Sequence, residues 1–101
     1  MSVRQQKVLI IRERSFLARM AAWRLGRSPM AMVWGRRILL HGISREDFLK
    51  DERWLRHEME HVRQYAQYGF VRFLVLYLWE SMRNGYHHNR FERAARDAEQ
   101  L

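Results

Sequence analysis

The feature that most constrains the fold is the stretch from Asp51 to Tyr68, which has the pattern of one long amphipathic helix. Its apolar residues recur at helical spacing and fall on one side. They are Trp54, Leu55, Met59, Val62 and Tyr65. Gly69 follows directly and is a typical helix stop. The rest of the chain must therefore supply elements that cover this apolar side.

Before this helix, the sequence predicts a short strand, a helix and a hairpin. The strand is Val8 to Ile11, rich in β-branched residues. Ser15 can cap the helix, and Gly26, Ser28 and Pro29 end it. We expect its apolar residues to form one broad face: Phe16, Leu17, Met20, Ala21, Trp23 and Leu25. The runs Ala31 to Trp34 and Ile38 to His41, joined through Gly35 and Arg36, predict the hairpin.

Further helices are predicted around and after the long one. Ser44, followed three residues later by Asp47, resembles a capping box that opens a short helix. Phe70 to Arg83 forms another, ended by Asn84 and Gly85, and Asn89 begins a last one. Residues 1–101 are therefore expected to form a single α+β domain, with a small antiparallel sheet and a backing helix.

Composition limits the kinds of site that this chain can build. The 101 residues include no cysteine, so disulfides and thiolate metal sites are excluded, and any metal must be bound by His and carboxylate ligands. The net charge is +8, almost wholly from arginine, but no run of five or six like charges appears, and we do not expect a nucleic-acid partner. The most apolar stretch, Phe70 to Trp79, is too short to span a membrane. We therefore expect a soluble, cytoplasmic protein.

The long helix contains the sequence His57-Glu58-Met59-Glu60-His61, an HExxH pattern. Residues four apart on a helix are neighbours, with Cβ atoms about 5–6 Å apart, so both imidazoles can bind one ion. Glu58 is rotated away from His57 and can reach a water on the metal rather than the metal itself. The pattern predicts a Zn²⁺ site, although two histidines on a solvated helix face remain the alternative.

A catalytic zinc ion usually has three protein ligands and one open position. Glu92, 31 residues after His61 with an entire helix between them, is our preferred third ligand. His87 and His88 are competing ligands. Asn89 and Glu92 also fit a capping box, in which Glu92 would bind back to the cap rather than to a metal.

HExxH followed some thirty residues later by a helix-borne Glu, in an N-x-x-E-x-x-A context, resembles the gluzincin metallopeptidases. With about 100 residues and these elements, the chain is similar to the minigluzincins. The resemblance implies an active-site helix and a C-terminal glutamate helix, with His57, His61 and Glu92 as ligands and Glu58 as the base. It also implies that the strand Ile38 to His41 is the upper edge of the cleft and pairs with an extended peptide or protein substrate.

The implied activity is zinc-dependent hydrolysis of peptide bonds, in which Glu58 transfers a proton from water to the leaving amine. A tetrahedral oxyanion needs a hydrogen-bond donor besides zinc, and Tyr86, His87 and His88 are the candidates. Two other functions remain open. One is a zinc-stabilised, non-catalytic or latent domain with a basic partner-binding surface, and the other is an arginine-rich helical module without metal. Aromatic residues at helical spacing are expected in the core rather than as stacking platforms: Tyr65, Tyr68, Phe70, Phe73, Tyr77 and Trp79.

Overall fold

The computed structural model describes residues 10–100, which form an α+β domain, as predicted. The elements run in the order β1 (Ile10–Arg12), α1 (Phe16–Leu25), β2 (Met30–Trp34), β3 (Arg37–His41), α2 (Arg45–Lys50), α3 (Glu52–Tyr68), α4 (Phe70–His88) and α5 (Arg90–Ala98). Of the strand predicted from Val8 to Ile11, Val8 and Leu9 lie outside the described residues. No helix within residues 10–100 is long and apolar enough to cross a membrane.

The sheet of the described residues has the strand order β1-β3-β2. The predicted hairpin is present, with β2 antiparallel to β3 across the turn at Gly35 and Arg36. β1 is parallel to β3, with Ile11 opposite Ile38, so the sheet is mixed rather than wholly antiparallel. A parallel pair needs a long connection, which α1 and β2 supply here. Local alternation of apolar residues predicts a hairpin, but it does not encode the direction of a strand that pairs across such a connection.

β3 is the central strand, which contradicts the prediction that Ile38 to His41 forms the edge of the cleft. Its residues Ile38, Leu39 and Leu40 are all buried, because α1 covers one face of the sheet and the core cluster with Phe48 and Met59 covers the other. Both sides of β3 are already hydrogen-bonded, so it cannot pair with a substrate. Among the described strands, β2 is the edge strand that adjoins the cleft.

The helix α1 begins and ends where the sequence predicts. The Ser15 hydroxyl accepts a hydrogen bond from the backbone N–H of Ala18, and Gly26 adopts a left-handed conformation with φ 66°. The expected broad apolar face, however, is not the buried one. The buried residues are Ala18 and Ala22, while most of the larger apolar side chains are exposed. Since apolar residues occupy nearly every position of α1, the sequence pattern could not identify the face that packs on the sheet.

The helix α3 lies under the sheet and extends beyond it. Asp51 caps it, accepting from the N–H of Trp54 at 3.1 Å, and Gly69 ends it as predicted. Met59 and Val62 pack into the cluster beneath the sheet. Tyr65 packs into a second cluster with aromatic residues of α4 and α5.

Helical geometry in α4 is interrupted at Gly85, where φ is 80°, close to the predicted stop at Asn84 and Gly85. The residues after it form a helical turn rather than a loop, and Asn89 then caps α5 as predicted. The aromatic residues expected in the core divide into two groups. Tyr65 and Phe73 are buried and Tyr68 and Tyr77 half-buried, but Phe70 and Trp79 are exposed, so for these two the prediction was wrong.

Candidate metal centre

The HExxH residues lie in the middle of α3, where the helix passes from the sheet cluster to the aromatic cluster. The rings of His57 and His61 are neighbours one helical turn apart, with centroids separated by 5.2 Å. Their side chains are only 15% and 8% exposed. The alternative of two solvated surface histidines is therefore wrong.

Glu92, from the first turn of α5, meets both imidazoles. Its Oε1 lies 3.1 Å from Nε2 of His57 and 3.2 Å from Nε2 of His61. One ligand atom from each of the three residues lies within 4.8 Å of the other two, so the group could hold a metal ion. The grouping predicted from the spacing of the sequence is therefore present in the fold.

Asn89 anchors the start of α5, the helix that carries Glu92. It is fully buried, its Oδ1 accepts from the N–H of Phe91 at 2.8 Å, and its Nδ2 donates to the carbonyl of Tyr77 and the hydroxyl of Ser81. These bonds fix the start of α5 against α4. The carboxylate of Glu92 contacts the two histidines, so the reading of Glu92 as a capping-box residue does not describe its role.

The outer nitrogen of each imidazole has its own partner. Nδ1 of His57 lies 2.8 Å from Oε2 of Glu99, and Nδ1 of His61 lies 2.9 Å from Oε1 of Gln64. Both partners are acceptors, so each Nδ1 carries a proton that it donates. This arrangement fixes the rings and directs both Nε2 atoms towards the centre, as the outer partners of histidine ligands do in metal sites.

Gln64 is itself held in place, in part by the charged residues Glu60 and Arg63 of the same helix. Its Nε2 donates to the carbonyl of Phe91 at 3.1 Å and to Glu60 at 3.3 Å. Glu60 in turn accepts two hydrogen bonds from the guanidinium of Arg63, at 2.8 and 2.7 Å. Glu60 and Arg63 therefore form a surface ion pair that supports the Gln64–His61 contact.

Tyr77 completes the surroundings of Glu92, since its hydroxyl donates to Oε2 of the carboxylate. Sequence reasoning placed this tyrosine in the core and missed the contact. The available signal was chemical: a tyrosine within an apolar helix needs a partner for its hydroxyl. Glu99 and Gln64 were also missed, although Gln64 follows His61 by three residues and Glu99 follows Glu92 by seven, close to two helical turns.

The charges of the three grouped residues stabilise one another. Burial alone lowers the pKa of His57, but the hydrogen bond with Glu92 and the charge of Glu58 raise it to about 9. The pKa of His61 is also raised, because its contacts with Glu92 outweigh burial. Burial opposes ionisation of Glu92, yet the hydrogen bonds from the histidines hold its pKa well below its usual range. The pocket therefore favours one carboxylate surrounded by positive charge, which protons or a bound cation can supply.

Glu58 lies beside the group without belonging to it. It is buried, at 6% exposure, and lines the same cleft as His57 and His61. Burial raises its pKa to about 7, although the charges of the neighbouring histidines act in the opposite direction.

The cleft above the group encloses about 270 Å³ between the edge strand β2, the end of α1 and the inner side of α4. Its walls are mainly apolar and include Leu25, Met32 and Leu78. Tyr86 also lines it, whereas the side chains of His87 and His88 are exposed and neither belongs to the group of His57, His61 and Glu92. No protein family, curated protein or solved structure matches the chain, so the geometry of the site has to support any functional assignment by itself.

Proposed function

We propose that the protein is a zinc-dependent peptidase in which His57, His61 and Glu92 bind one Zn²⁺ and Glu58 is the general base. The observation that carries this proposal is the convergence of two Nε2 atoms and one carboxylate oxygen beside a buried fourth side chain, Glu58, at the base of a cleft. A latent or non-catalytic zinc domain is the alternative that the experiment below separates from it.

The donor set favours zinc. Two imidazoles and one carboxylate are a frequent ligand set in zinc hydrolases and leave a fourth position open. The ligand side chains are held by Gln64 of α3, Tyr77 of α4 and Glu99 just after α5, which limits how far they can rearrange. Zinc in such a site supplies a Lewis acid that activates water and polarises a carbonyl group.

Glu58 has the position that a general base needs. Its carboxylate is next to the ligands in sequence, lies in the same cleft and is removed from bulk solvent. In the proposed reaction it accepts the proton of the attacking water and transfers it to the amine that leaves. Of the three oxyanion donors predicted from the sequence, Tyr86 lines the cleft, and we assign the role to its hydroxyl.

The substrate strand is proposed to pair with β2. All five residues of β2 line the cleft, and β3 occupies the other side of the strand. An extended peptide added at this edge would lie along the cleft beside the metal-binding group. The hydroxyl of Tyr65 donates to the carbonyl of Val33 at 3.2 Å, so this end of β2 is already partly satisfied. The pairing is therefore expected nearer to Met30 and Ala31.

Glu58→Gln tests the catalytic part of the proposal. The substitution keeps the shape of the side chain but removes its basicity, so zinc content should stay at the wild-type value. Cleavage of an unstructured protein such as casein should fall by about 10²–10⁴-fold, the usual contribution of a general base. Both proteins are purified identically and assayed with and without chelator.

Equal cleavage by the two proteins would exclude Glu58 as the base and indicate a contaminating protease. If both contain zinc and neither cleaves casein, the domain is latent or non-catalytic and the peptidase proposal is wrong for the isolated chain.

A further inference from the structure

The outer side of α1 is apolar and exposed. Phe16 is 70% exposed and Trp23 is 82% exposed, while only the two alanines of the opposite side are buried against the rest of the fold. Leu17, Met20 and Leu25 are also exposed. Leaving this many large apolar side chains in water is costly, and such patches mark surfaces that bind something.

The outer side of α4 has a second apolar stripe. Val71, Val75, Leu78 and Met82 are spaced by four, three and four residues and are 57–83% exposed. Trp79 extends this stripe and is 58% exposed. Three of the four tryptophans of the chain are therefore exposed, since Trp34 at the end of β2 is also exposed.

The two apolar surfaces adjoin one cleft. Leu25 from α1 and Leu78 from α4 both line it and are both exposed. At one end the guanidinium of Arg27, just after α1, stacks over the ring of Tyr86 in α4, 5.1 Å from its centroid. We call the exposed apolar side chains of α1 and α4, which adjoin the cleft through Leu25 and Leu78, the apolar rim.

The charge around the apolar rim has one sign. Residues 15–44, which include α1, β2 and β3, contain five arginines and no Asp or Glu. On α4, Arg72 and Arg83 are exposed, and the single acidic residue, Glu80, lies against Arg90 at 3.9 Å. A second copy of the chain is therefore a poor occupant, because face-to-face packing would bring arginines of both copies together.

We propose that the apolar rim docks on the surface of an anionic phospholipid bilayer. Tryptophan and aliphatic side chains insert at the boundary between headgroups and acyl chains, and surrounding arginines bind the anionic headgroups. Both requirements are met by the same two helices. The cleft would then open towards the bilayer. This proposal does not depend on zinc or on peptidase activity.

Co-sedimentation of the purified chain with vesicles tests the proposal. The protein should sediment with vesicles that contain phosphatidylglycerol and remain in the supernatant with phosphatidylcholine alone. The double variant Arg19→Gln with Arg24→Gln should weaken binding by about tenfold or more, because each basic side chain near an anionic surface strengthens binding to that surface. The control is the double variant Arg45→Gln with Arg93→Gln. It removes two exposed arginines of α2 and α5 and so makes the same change in net charge.

Trp23→Ser with Met82→Ser should also weaken binding, and both side chains are exposed enough that the thermal melt should not change. No binding to anionic vesicles would overturn the proposal. It would also be overturned if the two arginine pairs had equal effects, which would indicate attraction through net charge alone. If the wild-type protein is a dimer in solution and the Trp23→Ser with Met82→Ser variant is a monomer, a second copy of the chain covers the rim and the proposal is wrong.

Discussion

At the scale of single residues, the centre depends on groups that each satisfy more than one partner. Glu92 accepts from Tyr77 and lies against two imidazoles, while Glu99 and Gln64 hold the outer nitrogens of those imidazoles. The sequence predicted the pairing of His57 and His61 because the spacing of residues on one helix is a local property, and it predicted Glu92 because one intervening helix can return the chain to the motif. It could not predict that Tyr77 contacts Glu92 or that Glu99 contacts His57, because those contacts depend on how α4 and α5 pack against α3.

Tyr77→Phe tests whether this support affects metal binding. Removal of the hydroxyl leaves Oε2 of Glu92 without its donor, and loss of an outer partner typically weakens metal affinity by about 10–100-fold. Competition with a chromogenic chelator measures the zinc affinity of both proteins. Tyr68→Phe is the matched control, because its ring packs in the same aromatic cluster. Equal affinities for wild type and Tyr77→Phe would show that the contact does not position Glu92.

At the scale of elements, the ends of helices were predicted more accurately than the sheet. Ser15 and Ser44 cap their helices and Gly69 ends α3 as expected, because capping is determined by neighbouring residues. The order β1-β3-β2 was not predictable from such signals, and it moved the proposed substrate edge from β3 to β2. The local signal at Asn89 was correct, and its wider role in joining α5 to α4 emerged only from the fold.

Asn89→Ala should destabilise the domain more than a change at another asparagine of the same region. The variant loses the cap of α5 and leaves buried backbone groups without partners, so the free energy of unfolding should fall by about 1–3 kcal/mol. Denaturant unfolding of both proteins in chelator removes any contribution from bound metal. Asn84→Ala is the control, because Asn84 is exposed and its side chain donates a hydrogen bond to Glu80 in the preceding turn of the same helix, and its effect should stay within about 0.5 kcal/mol. Similar losses in the two variants would contradict the role assigned to Asn89.

At the scale of the whole molecule, the apolar residues are divided between a core and a rim. The sheet cluster and the aromatic cluster bury one side of α3, yet α1 and α4 keep large apolar side chains in solvent around the cleft. Periodicity alone could not reveal this division, because an apolar side chain has the same signature whether a core or an external partner covers it. His57, His61 and Glu92 lie where α3 and α5 meet, and Tyr77 of α4 donates to Glu92, so a bound ion would link α3 directly to α5.

The central claim is that this group binds zinc, and the metal content of protein purified without a His tag tests it most directly. About one zinc per chain is expected, with three protein ligands. His57→Ala and His61→Ala should each abolish stoichiometric zinc, whereas His88→Ala, an exposed control histidine outside the group, should retain it. Circular dichroism checks that the variants remain helical. Absence of zinc from the wild-type chain even after incubation with zinc, or full retention in both motif variants, would contradict the account.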